Sequence, residues 1–71
     1  MSEVITLKDY DFSSFLENDE VINDDGVVGN ILVLVDGEYP SVVIQWNDES
    51  ITSHFHFNCK EIYFLSDLNS W

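Results

Sequence analysis

Val27-Val28-Gly29-Asn30-Ile31-Leu32-Val33-Leu34-Val35-Asp36-Gly37-Glu38-Tyr39-Pro40-Ser41-Val42-Val43-Ile44-Gln45-Trp46 decides the fold. The first half is a β-branched run interrupted by Gly29. It reads as a strand buried on both faces, or bent by a bulge at the glycine. Asp36-Gly37 is a strong hairpin signal. The second half alternates, with Val42, Ile44 and Trp46 on one face and Val43 and Gln45 on the other. Pro40 stands at the start of that strand, where a missing N–H costs least.

Working outward, Asn47 to Ser50 is a turn, and Ile51 to Phe57 alternates again. That pattern predicts Ile51, Ser53, Phe55 and Phe57 inward, with Thr52, His54 and His56 outward. Glu61 to Leu65 is expected to add a short strand. Towards the N-terminus, Asn23 to Gly26 reads as a turn. Tyr10, Phe12, Phe15 and Leu16 recur within Asp9 to Asn18 at spacings that predict one or two helical turns, with Asp9 or Asp11 as N-cap. Val4 to Leu7 is a short β-like run. The expected fold is mainly β (α+β): a small, strongly bent antiparallel sheet of about five strands with one short N-terminal helix. The chain is read as a single domain over 1–71, with an acidic segment at 1–25, a β core at 26–65 and a tail at 66–71.

Gly29-Asn30-Ile31-Leu32-Val33, the Asp36-Gly37 hairpin, the run Val42 to Asp48 and the short strand near Ile62 together resemble an SH3-like barrel of the Tudor or KOW type. Such barrels run glycine-led strand, acidic turn, then a V-x-V-x-W-x-D strand. The likeness covers about residues 26–65, and the acidic N-terminal third has no counterpart in it. It implies a closed five-stranded barrel. In Tudor-like members it also implies an aromatic cage for methylated side chains, for which Tyr39, Trp46 and Phe55 are the candidates. Alternation places Trp46 and Phe55 in the core instead.

Charge constrains function more than any motif. Fourteen Asp and Glu stand against Lys8 and Lys60, giving a net charge of −12 on 71 residues, of which 45% are hydrophobic. That apolar content separates the chain from acidic disordered sequences. The charge points to a positively charged partner and disfavours direct binding to nucleic acid or anionic lipid, both of which need a basic patch. The area scaling law gives roughly one net charge per 380 Å² of folded surface. Treating B-DNA as a cylinder about 20 Å across gives about one per 110 Å². Imitating a phosphate backbone therefore requires the acids to gather. Eight of the fourteen fall within residues 1–25, and most of the others fall in turns.

Cys59 is the single cysteine, which excludes an internal disulfide. No stretch approaches the roughly 20 apolar residues of a membrane span. The opening residues lack a signal-peptide pattern. Cytoplasmic localisation is the expectation, in the host cell if the chain is phage-encoded.

His54-x-His56 followed by Cys59 is the one constellation with zinc-ligand residue types, with Asp48 or Glu61 as fourth-ligand candidates. Partly exposed strand histidines are common, and no metal or other cofactor is assigned. A Cys59–His54 nucleophilic pair needs a lowered thiol pKa, which the surrounding negative charge opposes. No EF-hand is present: counting back from Gly26 or Gly37 places Val21 or Leu32 at the first ligand position. Paired carboxylates such as Asp24/Asp25 or Asp36/Glu38 read as solvated turns rather than acid–base machinery. No enzymatic activity is expected.

The charge itself remains. Acids at i, i+2 on an extended chain lie about 6.6 Å apart, near the spacing of phosphates along a strand. A surface so built attracts a Lys/Arg groove and loses affinity with salt. The expected function is a small acidic inhibitor, phage- or mobile-element-encoded. It would mimic DNA phosphate charge and block the nucleic-acid site of a basic host protein: a restriction enzyme (anti-restriction), a recombination nuclease, a repair glycosylase or RNA polymerase. The partner-binding candidates are Asp9, Asp11, Glu17, Asp19, Glu20, Asp24, Asp25, Asp36 and Glu38, with Tyr10 and Tyr39 as exposed aromatic anchors. A monomer or weak dimer is expected. The alternatives are an SH3-like protein-interaction module and an immunity protein or antitoxin against a basic nuclease.

Overall fold

A computed structural model of the chain describes residues 4–69. Five antiparallel strands form a sheet that curls into a half-barrel. They are β1 (Glu20–Asn23), β2 (Val28–Val35), β3 (Ser41–Trp46), β4 (Ile51–Phe55) and β5 (Ile62–Phe64). Their order across the sheet is β4-β3-β2-β1-β5, so β4 and β5 are its edges. The core on the concave side comprises Leu7, Phe15, Val21, Ile31, Val42, Ile44, Trp46, Cys59 and Ile62.

The β2–β3 hairpin stands where the sequence put it, and a bulge does bend β2, but not at the glycine. Ile31 faces Ile44 and Val33 faces Val43, which leaves Leu32 as the extra residue. The insertion resets the alternation. Ile31 and Leu34, three residues apart, therefore both lie opposite the inward residues Ile44 and Val42. Gly29 serves a different purpose. A Cβ there would stand 2.7 Å from the Gln45 carbonyl oxygen and 2.8 Å from Trp46 Cε3, so only glycine permits the close approach of β2 to β3.

Five strands form, but one is not the strand expected. Val4 to Leu7 is not a strand: Leu7 opens a 3₁₀ turn (Leu7–Asp9) and is fully buried. The fifth strand is β1, which lies inside the acidic segment and is paired on both sides, with β2 and with β5. Four residues flanked by acids carry little strand signal, and the neighbours impose it. Asn18 N–H donates to Ile31 O (2.7 Å) and Ile31 N–H to Asp19 O (2.9 Å), extending the ladder beyond Glu20.

The expected N-terminal helix is two 3₁₀ turns, Leu7–Asp9 and Phe12–Ser14, separated by an extended Tyr10. Asp11 does occupy the N-cap position of the second turn, without a side-chain cap bond. Asp, Ser, Tyr and Phe are poor helix formers, and so short a segment does not sustain an α-helix. Phe15 is buried, Tyr10 and Phe12 pack against the core, and Leu16 faces solvent. The α-helix is instead C-terminal, α1 (Leu65–Asn69), in the segment read as strand end and tail.

In β4 the alternation holds with its phase inverted. Thr52 faces Ile44 and His54 faces Val42, so these polar residues share the inner face with the core. Ile51, Phe55 and Phe57 are 57%, 50% and 59% exposed. The cause is Trp46. Its buried indole N–H needs an acceptor, and Thr52 Oγ1 provides it at 2.8 Å.

Candidate functional site

The turns at one end of the sheet bring acids from distant sequence positions around a single depression of about 700 Å³. Asp24 and Asp25 come from the β1–β2 turn, Asp48 from the β3–β4 turn, and Glu61 from just before β5. Lys60 is the one ammonium among the lining residues.

Each turn is held locally. Asn23 Oδ1 accepts from the backbone N–H of Asp25 and of Val27, both at 2.9 Å, while Gly26 takes φ +83°. This Asx arrangement leaves Asp24 and Asp25 exposed at the apex. Asp48 Oδ1 accepts from Ser50 N–H at 3.0 Å and Ser50 Oγ–H at 2.5 Å. Those bonds lower the Asp48 pKa from its ordinary value and keep it ionised. The Asp24 carboxylate beside Tyr63 pushes that phenol upward.

The floor of the depression is polar. Trp46 Nε1 donates to Thr52 Oγ1, which lies 2.7 Å from His54 Nε2. The hydroxyl accepts from the indole and shares a second hydrogen bond with the His54 ring. Burial lowers the His54 pKa and favours the neutral ring.

The other expected partner-binding acids divide among separate places. Asp36 and Glu38 lie in the β2–β3 hairpin at the opposite end of the sheet. The length of β3 separates them from Trp46, roughly 17 Å over five residues. Asp19 and Glu20 border a second depression beside Tyr10 and Phe64, and Glu20 and Glu49 border a third beside Trp46. Asp9 lies 3.9 Å from Lys8 in an exposed pair, worth little in water. Asp11 and Glu17 are exposed on the N-terminal segment.

Of the two expected anchors, Tyr39 is 64% exposed. Tyr10 is packed inward: its hydroxyl donates to Asp67 Oδ2 at 2.6 Å and its ring meets Phe64 edge-on at 4.9 Å. The hydrogen bond to Asp67 raises its pKa. Sequence reasoning left Asp48, Glu49 and Glu61 out of the binding set. The place of Asp48 and Glu61 beside Asp24 and Asp25 comes from tertiary pairing and has no local signal, while Glu49 borders the third depression with Glu20.

His54, His56 and Cys59 do not converge. His56 Nε2–H donates to Tyr10 O at 2.7 Å and Leu7 O at 3.2 Å, clamping the N-terminal segment. Cys59 is a core residue whose thiol donates to Phe55 O at 3.3 Å, and burial pushes its pKa up to about 11. Among the described residues, no group of three or more His, Cys, Asp or Glu is arranged to hold a metal ion. Nor do the cage candidates assemble. Trp46 is buried at one end of β3, while Phe55 faces Ser41 at the other. No helix among the described residues is long and apolar enough to cross a membrane. Comparison with known protein families, curated proteins and solved structures yields no match.

Proposed function

We propose that this chain is a small, non-catalytic acidic inhibitor that occupies the nucleic-acid site of a basic host protein by mimicking phosphate charge. The observation that carries this reading is the collection of Asp24, Asp25, Asp48 and Glu61 around one depression in a chain of net charge −12. The whole surface of 4760 Å² averages about 400 Å² per net charge, several-fold more dilute than DNA at about 110 Å². Local concentration is therefore what mimicry demands, and turns from three parts of the chain provide it. Rigid, exposed carboxylates also steer association with a Lys/Arg groove, at a rate that falls with ionic strength.

The test is competition. A fluorescent DNA duplex bound to a purified restriction endonuclease, a DNA-repair glycosylase or RNA polymerase is titrated with the protein at 50 and 300 mM salt. Displacement at low salt that weakens at least tenfold at high salt is expected. A variant with Asp24→Lys, Asp25→Lys and Asp48→Lys should displace none. Equal displacement by that variant would sink the proposal.

A second reading, an SH3-like protein-interaction module, draws support from connectivity. The first strand pairs with the last, β1 with β5, and the sheet curls towards closure. It predicts partners whose binding is insensitive to salt.

A further inference from the structure

The convex face of β2, β3 and β4 is organised in rows, because cross-strand partners share a face. The row nearest the acidic depression is Glu20-Asn30-Gln45-Ile51. The next is Val33-Val43-Ser53, and the last is Val35-Ser41-Phe55. From one end to the other the face passes from polar to apolar over about 13 Å. Beyond the last row Phe57 stacks flat on Phe55, with centroids 5.4 Å apart and planes 7° from parallel. The Tyr39–Pro40 segment lies alongside, since His56 N–H donates to Pro40 O at 2.8 Å.

This apolar strip is open to solvent. At about 200 Å² per aromatic side chain, the exposed parts of Phe55, Phe57 and Tyr39 alone amount to on the order of 350 Å². Half-exposed Val33, Val35 and Ile51 extend it. The largest apolar patch on a monomeric protein is of this order and is often functional. Both ends carry acids: Glu20 and Glu49 at one, Asp36 and Glu38 at the other. Neither lysine belongs to its rows. Lys8 lies beside Asp9 in the first 3₁₀ turn, and Lys60 lines the depression.

We propose that this convex face is a second docking surface for the basic host protein, distinct from the acidic depression, with the Phe55–Phe57 stack as the desolvated anchor in an apolar pocket and Asp36, Glu38, Glu20 and Glu49 pairing with lysines or arginines around it. The inference rests on the inhibitor reading and adds the contact that electrostatics alone does not supply. Charge complementarity selects the occupant. In a symmetric pairing of two copies, either alignment of the strip sets carboxylates against carboxylates, on chains each carrying −12. A basic rim meets the same acids favourably, and an apolar centre with a charged rim is the usual anatomy of a binding hot spot.

The experiment uses the full chain against the same three purified DNA-binding enzymes, immobilised, at 100 mM salt. It compares the parent with a Phe55→Ser, Phe57→Ser variant and with the Asp24→Lys, Asp25→Lys, Asp48→Lys variant. Sedimentation equilibrium of each runs in parallel. Both phenylalanines are already half exposed, so the serine variant should retain the parent's circular dichroism; Phe55→Tyr, Phe57→Tyr is the conservative control. The expected result is at least a tenfold loss of affinity in the serine variant, recovery in the tyrosine control, and a monomer throughout. If the parent binds an enzyme and the serine variant binds equally well, the docking face is wrong while the inhibitor reading stands. If the parent binds none of the enzymes, the inhibitor reading fails and takes this inference with it. A dimer that the serine variant dissolves overturns the choice of occupant.

Discussion

Gly29→Ala should be among the most destabilising single-methyl changes available to this protein. The added Cβ would stand 2.7 Å from the Gln45 carbonyl oxygen, 2.8 Å from Trp46 Cε3 and 3.1 Å from Ile44 Cγ2. The first of these neighbours is backbone, held in the β2–β3 ladder, and cannot swing aside. Relief requires β3 to move off β2 or the indole to leave its place over Thr52. Overpacking of this kind costs about 1–3 kcal/mol, while the stiffer unfolded chain returns only about 0.4–1 kcal/mol. A net loss near 1–2 kcal/mol is substantial beside the roughly 4–10 kcal/mol expected of a domain this size. With a urea m-value of about 1 kcal/mol/M, the midpoint of a melt followed by far-ultraviolet circular dichroism should fall by about 1–2 M. Gly26→Ala is the informative comparison. Gly26 has φ +83° and no atom within 4 Å of the built Cβ, so its cost is conformational, about 1 kcal/mol. A Gly29→Ala protein as stable as the parent would refute the close-approach argument.

Three further outcomes follow from particular contacts. His56→Ala removes the donor shared by Tyr10 O and Leu7 O and the ring packed on Phe12 and Phe15. A loss of about 2–3 kcal/mol is expected, with hydrogen exchange accelerating over residues 7–15 before the sheet; uniform acceleration would refute the clamp. Tyr10→Phe removes the hydroxyl bonded to Asp67 and should lower stability by about 1–2 kcal/mol, read as a lower urea midpoint at unchanged m; an unchanged midpoint counts against that bond. The third concerns pH. Burial lowers the His54 pKa below its unfolded value, so as pH falls through the unfolded pKa near 6.5 the unfolded chain binds the proton first. Stability is then lost until the folded pKa is reached. Between pH 7.5 and 5, the parent should lose more stability than a His54→Gln variant; parallel curves would place the pH dependence elsewhere.

The hairpin was legible because everything that specifies it is local: the Asp36-Gly37 turn, Pro40 at the strand start, and alternation from Val42 to Trp46. The phase of β4 was not. Alternation gives a period of two but not which face is inside, and apolar Ile51 and Phe55 suggested the wrong one. A cross-strand requirement decided it, the acceptor for Trp46 Nε1 that Thr52 supplies. A reader asking where that indole N–H would be satisfied could have placed Thr52 and His54 inside and the phenylalanines outside. β1 was hidden for a related reason, since its pairing with both β2 and β5 makes it a strand. The acidity was plain from composition. The meeting of Asp24 and Asp25 with Asp48 and Glu61 depended on sheet order, which no spacing encodes.

The placement of the acids also explains how a chain carrying −12 folds and how its charge should be probed. Among the described residues no charged one is buried, so none of their carboxylates carries the desolvation cost of the interior. Several of them instead build the turns they occupy. Asp19 Oδ2 accepts from Leu16 N–H, Asp36 Oδ1 from Gly37 N–H, and Asp48 Oδ1 from Ser50. Repulsion is thereby concentrated on short turns that local hydrogen bonds hold. Turns two strands apart are separated by about 10 Å, near the Debye length of about 8 Å at physiological salt, so modest salt screens much of the cost. Replacing these acids by alanine or lysine removes a cap together with a charge. Asn at positions 19, 36 and 48 keeps an acceptor oxygen and deletes only the charge. If charge is the functional element, Asp48→Asn should weaken binding to a basic partner while the circular dichroism of the fold stays that of the parent. If binding survives Asp→Asn and is lost only on Asp→Ala, the turn's shape is what the partner reads.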